Sequence, residues 1–267
     1  MLLISSGCAH KESLQITPTL TSPALVEQYA YVGELHNEGL QALYKKLKND
    51  KILINRSGID TYLETTLNAT EAFFIDYHNQ HPAVNLFGTQ QEAERVFQHQ
   101  RTRLLVNFAK PAGARSLGTT SFKTTTVSSS ADYSTTVSQS ALSDKQKTLL
   151  LLVAEASDNA ASSNEFNTLI GVVETRATTE LPANEQATVF VVTSTARASA
   201  AYWNAHAQDW AALTGNAPKA TAQHSAKTNW LKFALKCAIA DAGGALGGVV
   251  GAAVSSGVEA AIELIGD

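Results

Sequence analysis

Residues 242–258 read AGGALGGVVGAAVSSGV, a run of seventeen residues without an ionisable side chain. Small residues recur in it at every fourth position, and on one continuous helix they would form a smooth face with few side chains. Two rows make up this face, Gly243, Gly247, Gly251 and Ser255, and beside them Gly244, Gly248, Ala252 and Ser256. We predict that this glycine face serves close helix–helix packing.

The glycine content makes this helix dependent on its surroundings. Six glycines between Gly243 and Gly257 cost a helix about 6 kcal/mol in intrinsic propensity relative to alanine. Close packing can offset that cost, either against another helix in a membrane or inside the protein's own helical bundle. A loosely ordered segment is the third interpretation.

The same stretch is marginal as a membrane span. Its seventeen residues fall short of the roughly 20 that a spanning helix needs. The strongly apolar side chains are few, namely Leu246, Val249, Val250, Val254 and Val258. We therefore favour a packing partner within the same chain.

Charged residues lie on both sides of the glycine segment. Basic and aromatic residues precede it, and Lys227, Trp230, Lys232 and Lys236 are candidates for a collar resting on anionic lipid headgroups. Glu259, Glu263 and Asp267 follow it. The alternative is a helix in water with charged ends.

The rest of the chain predicts an all-α fold of about six to seven helices. Apolar residues recur at helical spacing, and no long run alternates with the period of a strand. The expected helices cover about 24–48, 59–79, 90–109, 148–156, 164–181 and 182–213, with a last helical region from 228. Ser143 and Gln146 form a capping-box pattern before the fourth helix.

Five regions follow from this pattern. They are a signal and tether (1–22), an N-terminal helical part (23–110), a linker or long loop (111–141), a C-terminal helical part (142–216) and a basic and glycine-rich end (217–267). Fourteen of the twenty-two residues from 119 to 140 are Ser or Thr. Such a run buries little apolar surface, so we expect a mobile linker, with a short hairpin as the alternative.

The N-terminus, MLLISSGC, points to a lipid anchor at Cys8. Three apolar residues and three small ones precede this cysteine, and a polar run follows it. The apolar stretch is shorter than the roughly 7–15 residues of a secretory signal, so we expect the true start to lie upstream or the chain to be trimmed. An ordinary cytosolic start is the alternative.

No sequence motif indicates an enzyme. Glu34 and Glu38 share a helix face, but His36 points roughly 200° away from it, so a solvated face is favoured over a metal site. His206 and Asp209 are suitably spaced for acid–base chemistry, but we expect Trp203 and Trp210 to anchor a core with His206 hydrogen-bonded between them. We expect no cofactor, metal, nucleic acid or small-molecule substrate, because charges are mixed and no signature for such a ligand occurs.

Two stretches of the chain resemble known groups of bacterial proteins. The stretch around Cys8 resembles the end of a bacterial lipoprotein signal. Residues 241–248, DAGGALGG, are similar to the glycine-rich C-termini of uncharacterised secreted bacterial proteins and of some small bacteriocins. The resemblances imply a lipid anchor at Cys8 and membrane interaction or self-association through the glycine face. Because no enzyme motif occurs, we expect a non-enzymatic, lipid-anchored protein of the outer membrane or cell surface whose glycine face packs within its own bundle or against a membrane or a partner helix. The alternatives are a membrane-active, bacteriocin-like effector and an enzyme with an unrecognised site near His206.

Overall fold

The computed structural model describes residues 23–81, 102, 129–215 and 223–266. This part of the chain forms eight α-helices and contains no strand, which confirms the all-α prediction. The helices are α1 (Pro23–Asn49), α2 (Ile59–Gln80), α3 (Ser129–Gln139), α4 (Asp144–Asn159), α5 (Ser163–Glu180), α6 (Ala183–Ala212), α7 (Gln223–Gly244) and α8 (Val249–Gly266). Short 3-10 turns occupy Arg56–Gly58 and Ala245–Gly247. The predicted signal and tether lie outside the described residues, and so does the helix predicted over 90–109 except for residue 102.

Local sequence signals set several helix ends. The predicted capping box opens α4: the Ser143 hydroxyl accepts from the Gln146 backbone N–H, and the Gln146 side chain accepts from the Ser143 N–H. Ser162 caps α5 by accepting from the Glu165 N–H at 3.1 Å. Each cap satisfies backbone donors that have no partner within the helix.

Helix α8 lies at the centre of the bundle. Every residue from Val250 to Ile262 is buried. One hydrophobic cluster contains residues from every helix between α3 and α8, among them Phe166 of α5, Phe190 of α6 and Ile239 of α7. A second joins α1, α2, α6, α7 and α8 through residues such as Leu43, Trp203 and Val258. The 30-residue α6 contributes to both clusters, so helices from the N-terminal, middle and C-terminal regions share one core.

Part of the expected Ser/Thr-rich linker is helical, which corrects the prediction of a mobile segment there. Helix α3 buries Tyr133 and Val137, which are one turn apart, and the Tyr133 hydroxyl donates to the Leu150 carbonyl at 2.9 Å. Hydroxyls of Ser134, Thr135 and Ser138 donate to carbonyls four residues earlier in α3. The prediction from composition failed for two reasons. Two buried side chains, Tyr133 and Val137, attach α3 to the core, and the hydroxyls find hydrogen-bond acceptors within the helix itself.

The glycine segment is a hairpin, which corrects the expectation that residues 242–258 form one helix with a continuous glycine face. Helix α7 ends at Gly244, a 3-10 turn follows, and α8 begins at Val249. Gly248 has a φ of 91°, a conformation that residues with a Cβ rarely adopt. The chain reverses at this point, so the predicted rows of small residues are divided between two helices.

Candidate functional site in the C-terminal hairpin

The two helices of the C-terminal hairpin, α7 and α8, meet through backbone at the glycines. A Cβ added to Gly244 would lie 2.4 Å from the Gly251 carbonyl oxygen and 2.5 Å from the Ser255 hydroxyl. Helix α2 packs closely against α8 at Gly257, where an added Cβ would lie 3.0 Å from the methyl carbon of Thr66. Glycine therefore permits helix contacts here that any larger residue would separate.

The residues of the predicted glycine face are placed against this chain's own helices. Gly244, Gly251 and Ser255 are buried, and Gly243, Gly247 and Gly248 are half-buried. A Cβ on Gly243 would lie 3.3 Å from the Tyr133 ring of α3. The small residues thus pack as the contacts of a hairpin inside the bundle.

A buried polar cluster connects the hairpin to α1 and α6. Asp241 of α7 lies at its centre, and its Oδ2 accepts hydrogen bonds from the Ser199 hydroxyl of α6 and, at 2.8 Å, from the Ser256 hydroxyl of α8. The Nε2 atom of His36, on α1, lies 3.3 Å from the same oxygen. All four residues are fully buried. One carboxylate oxygen is therefore in contact with side chains from three other helices.

Two further side chains fix the geometry of this Asp241 cluster. The Trp203 indole N–H donates to the Ser256 hydroxyl at 2.8 Å. On the other side, His36 Nδ1 lies 3.0 Å from Asn37 Oδ1, and the Asn37 amide N–H donates to the Ala198 carbonyl at 3.1 Å. Three buried atoms of this region have no hydrogen-bond partner among the described residues, namely His36 Nε2, Asp241 Oδ1 and the Ser255 hydroxyl oxygen.

Burial governs the acid–base behaviour of the cluster. It raises the pKa of Asp241, while the charge of His36 and the hydrogen bonds from His36, Ser199 and Ser256 oppose that rise. Burial, followed by the nearby carboxylates of Asp241, Glu259 and Glu263, raises the pKa of Cys237 well above its ordinary value. Cys237 is therefore a neutral thiol and a poor nucleophile.

The cluster contains serine, histidine and aspartate but is not arranged as a catalytic triad. In a triad the imidazole bridges the nucleophilic hydroxyl and the carboxylate. Here both serines donate directly to Asp241, and His36 contacts the carboxylate from another side. Such an arrangement holds helices together by hydrogen bonds and charge and does not activate a hydroxyl.

The expectations about α1 are confirmed in part. Glu34 and Glu38 are exposed, as a solvated face predicts, and His36 faces away from them. The pairing of His36 with Asp241 was missed. The available signal was the position of His36, one turn from Val32 and from Leu40 within the buried stripe.

The expectation about His206 is wrong in one respect. Trp203 and Trp210 are fully buried as predicted, with ring centroids 4.9 Å apart. His206 does not lie between them. Its side chain is 41% exposed and lies 3.5 Å from that of Asp209, which is 60% exposed. The Trp210 indole N–H instead donates to the Tyr202 hydroxyl at 3.0 Å.

The basic collar is partly neutralised within the chain. Lys236 of α7 pairs with Glu263 of α8 at 2.7 Å, because the hairpin brings residues before and after the glycine segment together. Lys232 is exposed, and Trp230 is half-buried with its ring centroid 5.7 Å from that of Phe233. The side chain of Lys227 lies outside the described residues.

The described residues contain neither a membrane-spanning helix nor a metal-binding group. None of these helices combines the length and apolarity required to cross a membrane. No group of three or more His, Cys, Asp or Glu residues in the described part could hold a metal ion. Comparison of the chain with protein-family models, curated proteins and solved structures finds no match.

Proposed function

We propose that this chain is a non-enzymatic, lipid-anchored protein of a bacterial cell envelope that acts through its packed helical bundle. The observation that carries the proposal is the contact between Gly244 and Gly251. The glycine segment, a candidate for membrane contact in the sequence, packs inside the bundle as a core hairpin. Attachment to a membrane is then the task of another part of the chain, and Cys8 is the residue suited to it.

The absence of a catalytic role is supported by the Asp241 cluster. Its serines donate to the carboxylate, and its four members are closed off from solvent. The side chains of His206 and Asp209 lie 3.5 Å apart and are 41% and 60% exposed, as in a solvated surface pair. We therefore expect a partner to meet the surface of the bundle.

Lipid attachment is tested by metabolic labelling with palmitate in a bacterial host that expresses the full-length precursor. We expect label on the wild type and none on Cys8→Ser. The matched control is Cys237→Ser, which removes the buried cysteine and should keep the label. Labelling that does not depend on Cys8, or no labelling of the wild-type precursor, would refute the anchor.

The membrane-active alternative requires the hairpin to leave the bundle. Hydrogen exchange on the purified protein, with and without vesicles of anionic phospholipid, distinguishes the two functions. We expect residues 242–258 to be protected without lipid and to stay protected with it, and the vesicles to retain an entrapped dye. Dye release that Gly247→Leu abolishes, together with loss of protection on adding vesicles, would favour the effector instead.

A further inference from the structure

The proton positions around His36 follow from its neighbour Asn37. The Asn37 Nδ2 group donates to the Ala198 carbonyl, which fixes the orientation of the amide and turns Oδ1 toward His36 Nδ1 at 3.0 Å. An amide oxygen can only accept a hydrogen bond. The proton of this contact must therefore be on Nδ1, an assignment made from the hydrogen-bond network.

This assignment leaves Nε2 facing a carboxylate. A neutral imidazole with its proton on Nδ1 carries a lone pair on Nε2, and Nε2 lies 3.3 Å from Asp241 Oδ2. Both side chains are fully buried, where an uncompensated contact between two electron-rich atoms is costly. The contact becomes favourable when a further proton is present, either on Nε2 or on the carboxyl group.

The remaining donors do not remove this requirement. The Ser256 hydroxyl receives the Trp203 N–H and is therefore oriented to donate to Asp241. Ser199 also donates to Asp241. Both serines donate to Asp241 Oδ2, but neither serine supplies a proton to the contact between His36 Nε2 and that oxygen.

We propose that His36 and Asp241 form a buried proton-binding site whose single shared proton locks the α7–α8 hairpin onto α1 and α6. With the proton bound, the pair is either imidazolium with carboxylate or imidazole with carboxylic acid. Loss of the proton places the Nε2 lone pair against a charged oxygen inside the core. The hairpin is then held less tightly.

Other ionisable groups near the pair do not replace its charge. On α7, Cys237 is a neutral thiol and Lys236 is engaged by Glu263 of α8. On α6, Arg197 pairs with Glu174. Further ionisable groups on the helices of the bundle are the exposed Glu34 and Glu38 of α1 and the exposed Glu155 and Asp158 of α4. Burial raises the pKa values of Tyr62 of α2 and Tyr133 of α3, and Glu259 of α8 is buried.

The direction of the pH effect follows from these contacts. The raised pKa of Asp241 means that the folded state holds a proton more tightly than the unfolded chain. A pair that holds one proton when folded contributes most between the ordinary carboxyl value of 3.8 and the ordinary imidazole value of about 6.5, and this contribution is lost as the pH rises and the proton leaves. Below 3.8 the contribution also declines, because there the unfolded chain binds two protons and the folded pair binds one. Alkaline conditions should therefore release the hairpin, and mildly acid conditions should secure it most strongly.

The proton is located by nuclear magnetic resonance on the full chain, with nitrogen-15 in histidine and carbon-13 in the aspartate carboxyl groups. His36→Gln and Asp241→Asn assign the two signals. At about pH 7 we expect either a doubly protonated His36 or a protonated Asp241, the two states of a pair with one shared proton. A neutral His36 beside an ionised Asp241 would overturn the proposal.

The mechanical consequence is measured by amide hydrogen exchange over residues 249–262, corrected for intrinsic base catalysis. As the pH rises above about 7 we expect opening of α8 to become more frequent by up to about tenfold per pH unit, because each opening then releases the shared proton. Asp241→Asn should remove this pH response, and the matched variant Asp209→Asn, beside the exposed His206, should keep it. An unchanged wild-type rate, or equal acceleration in wild type and Asp241→Asn, would contradict the lock. If Asp241→Asn does not fold, the wild-type resonance measurement decides alone.

Discussion

Gly244 and Gly251 place α7 and α8 in backbone contact, since a Cβ on Gly244 would lie 2.4 Å from the Gly251 carbonyl oxygen. This distance is shorter than any Cβ–oxygen contact in a relaxed structure, and the atom met is backbone and not the end of a flexible side chain. The hairpin therefore tolerates no side chain at this position without moving one helix away from the other.

We expect Gly244→Ala to destabilise the fold despite the better helix propensity of alanine. Overpacking of this kind costs about 1–3 kcal/mol, while replacing a helical glycine returns about 0.5–1 kcal/mol. The control is Gly171→Ala in α5, where the added Cβ would lie 3.5 Å from an Arg197 nitrogen, an ordinary contact. Urea unfolding measures both variants, and equal stability of the two would contradict the packing argument.

The ion pair between Glu174 of α5 and Arg197 of α6 supports a second prediction. The two side chains form two hydrogen bonds, at 2.8 and 3.2 Å, and Glu174 is 2% exposed while Arg197 is 29% exposed. Arg197→Met leaves a buried carboxylate without its partner, which costs about 3–5 kcal/mol in a fully buried pair. The partial exposure of Arg197 lowers our expectation to roughly 2–3 kcal/mol.

The matched control for this pair is Arg176→Met. Arg176 pairs with Glu180 within α5, and the two side chains are 35% and 40% exposed. Exposed pairs of this kind contribute about 0–1 kcal/mol. A loss of stability in Arg176→Met as large as that in Arg197→Met would show that burial does not set the strength of these pairs.

Three buried tyrosines predict cooperative alkaline unfolding. Burial raises the pKa of Tyr62, Tyr133 and Tyr202 above the ordinary value of 10.0. Because the folded state holds these phenolic protons more tightly, this contribution to stability is complete below the ordinary phenol pKa and is lost as the pH rises beyond it.

Tyrosinate absorbance and circular dichroism, recorded together in an alkaline titration, check this expectation. The buried tyrosines should ionise in one step with the loss of helical signal, whereas the denatured protein should titrate gradually around the ordinary value. Ionisation of every tyrosine before any loss of helical signal would show that these phenols are accessible in the folded state.

The capping box of α4 gives a fourth prediction. Ser143 accepts from the Gln146 N–H, and its hydroxyl also donates to Glu185 of α6 at 2.6 Å. We expect Ser143→Ala to lower the free energy of unfolding by about 1–2 kcal/mol, the range for loss of a helix cap. Thr148→Ala, one turn further along an exposed face, should change stability by less than about 0.5 kcal/mol. Thermal unfolding of the two variants tests the difference.

Local patterns in the sequence were sufficient for most helices. The stripe of Leu40, Leu43 and Leu47 predicted α1, and all three side chains are buried. The capping box predicted the start of α4. These signals succeed because the periodicity of side chains and the need to satisfy the first backbone donors are properties of a few adjacent residues.

Composition was a weaker guide. The Ser/Thr content of α3 suggested a mobile linker, yet Tyr133 and Val137 dock it on the bundle. These two side chains bury enough apolar surface to hold α3 in place despite its polar composition. Burial depends on which residues face the core, and composition does not contain that information.

In the glycine segment, the local sequence predicted the close packing, and the tertiary structure determined the path of the chain. Spacing alone established that small residues recur and that a helix there needs close neighbours. It did not establish that the chain reverses at Gly248, since a continuous helix and a hairpin have the same small residues at the same spacing. That choice depends on what α7 and α8 can bury against α1 and α6.

The Asp241 cluster was likewise decided by the tertiary structure. The sequence shows a histidine within one apolar stripe and an aspartate in another apolar run, each of which is costly to bury alone. Only the packing of four helices brings His36, Ser199, Asp241 and Ser256 together, so that each satisfies part of another's polarity. The physical reason is that helical periodicity is encoded by near neighbours, whereas the partner of a buried charge is set by contacts between segments far apart in the chain.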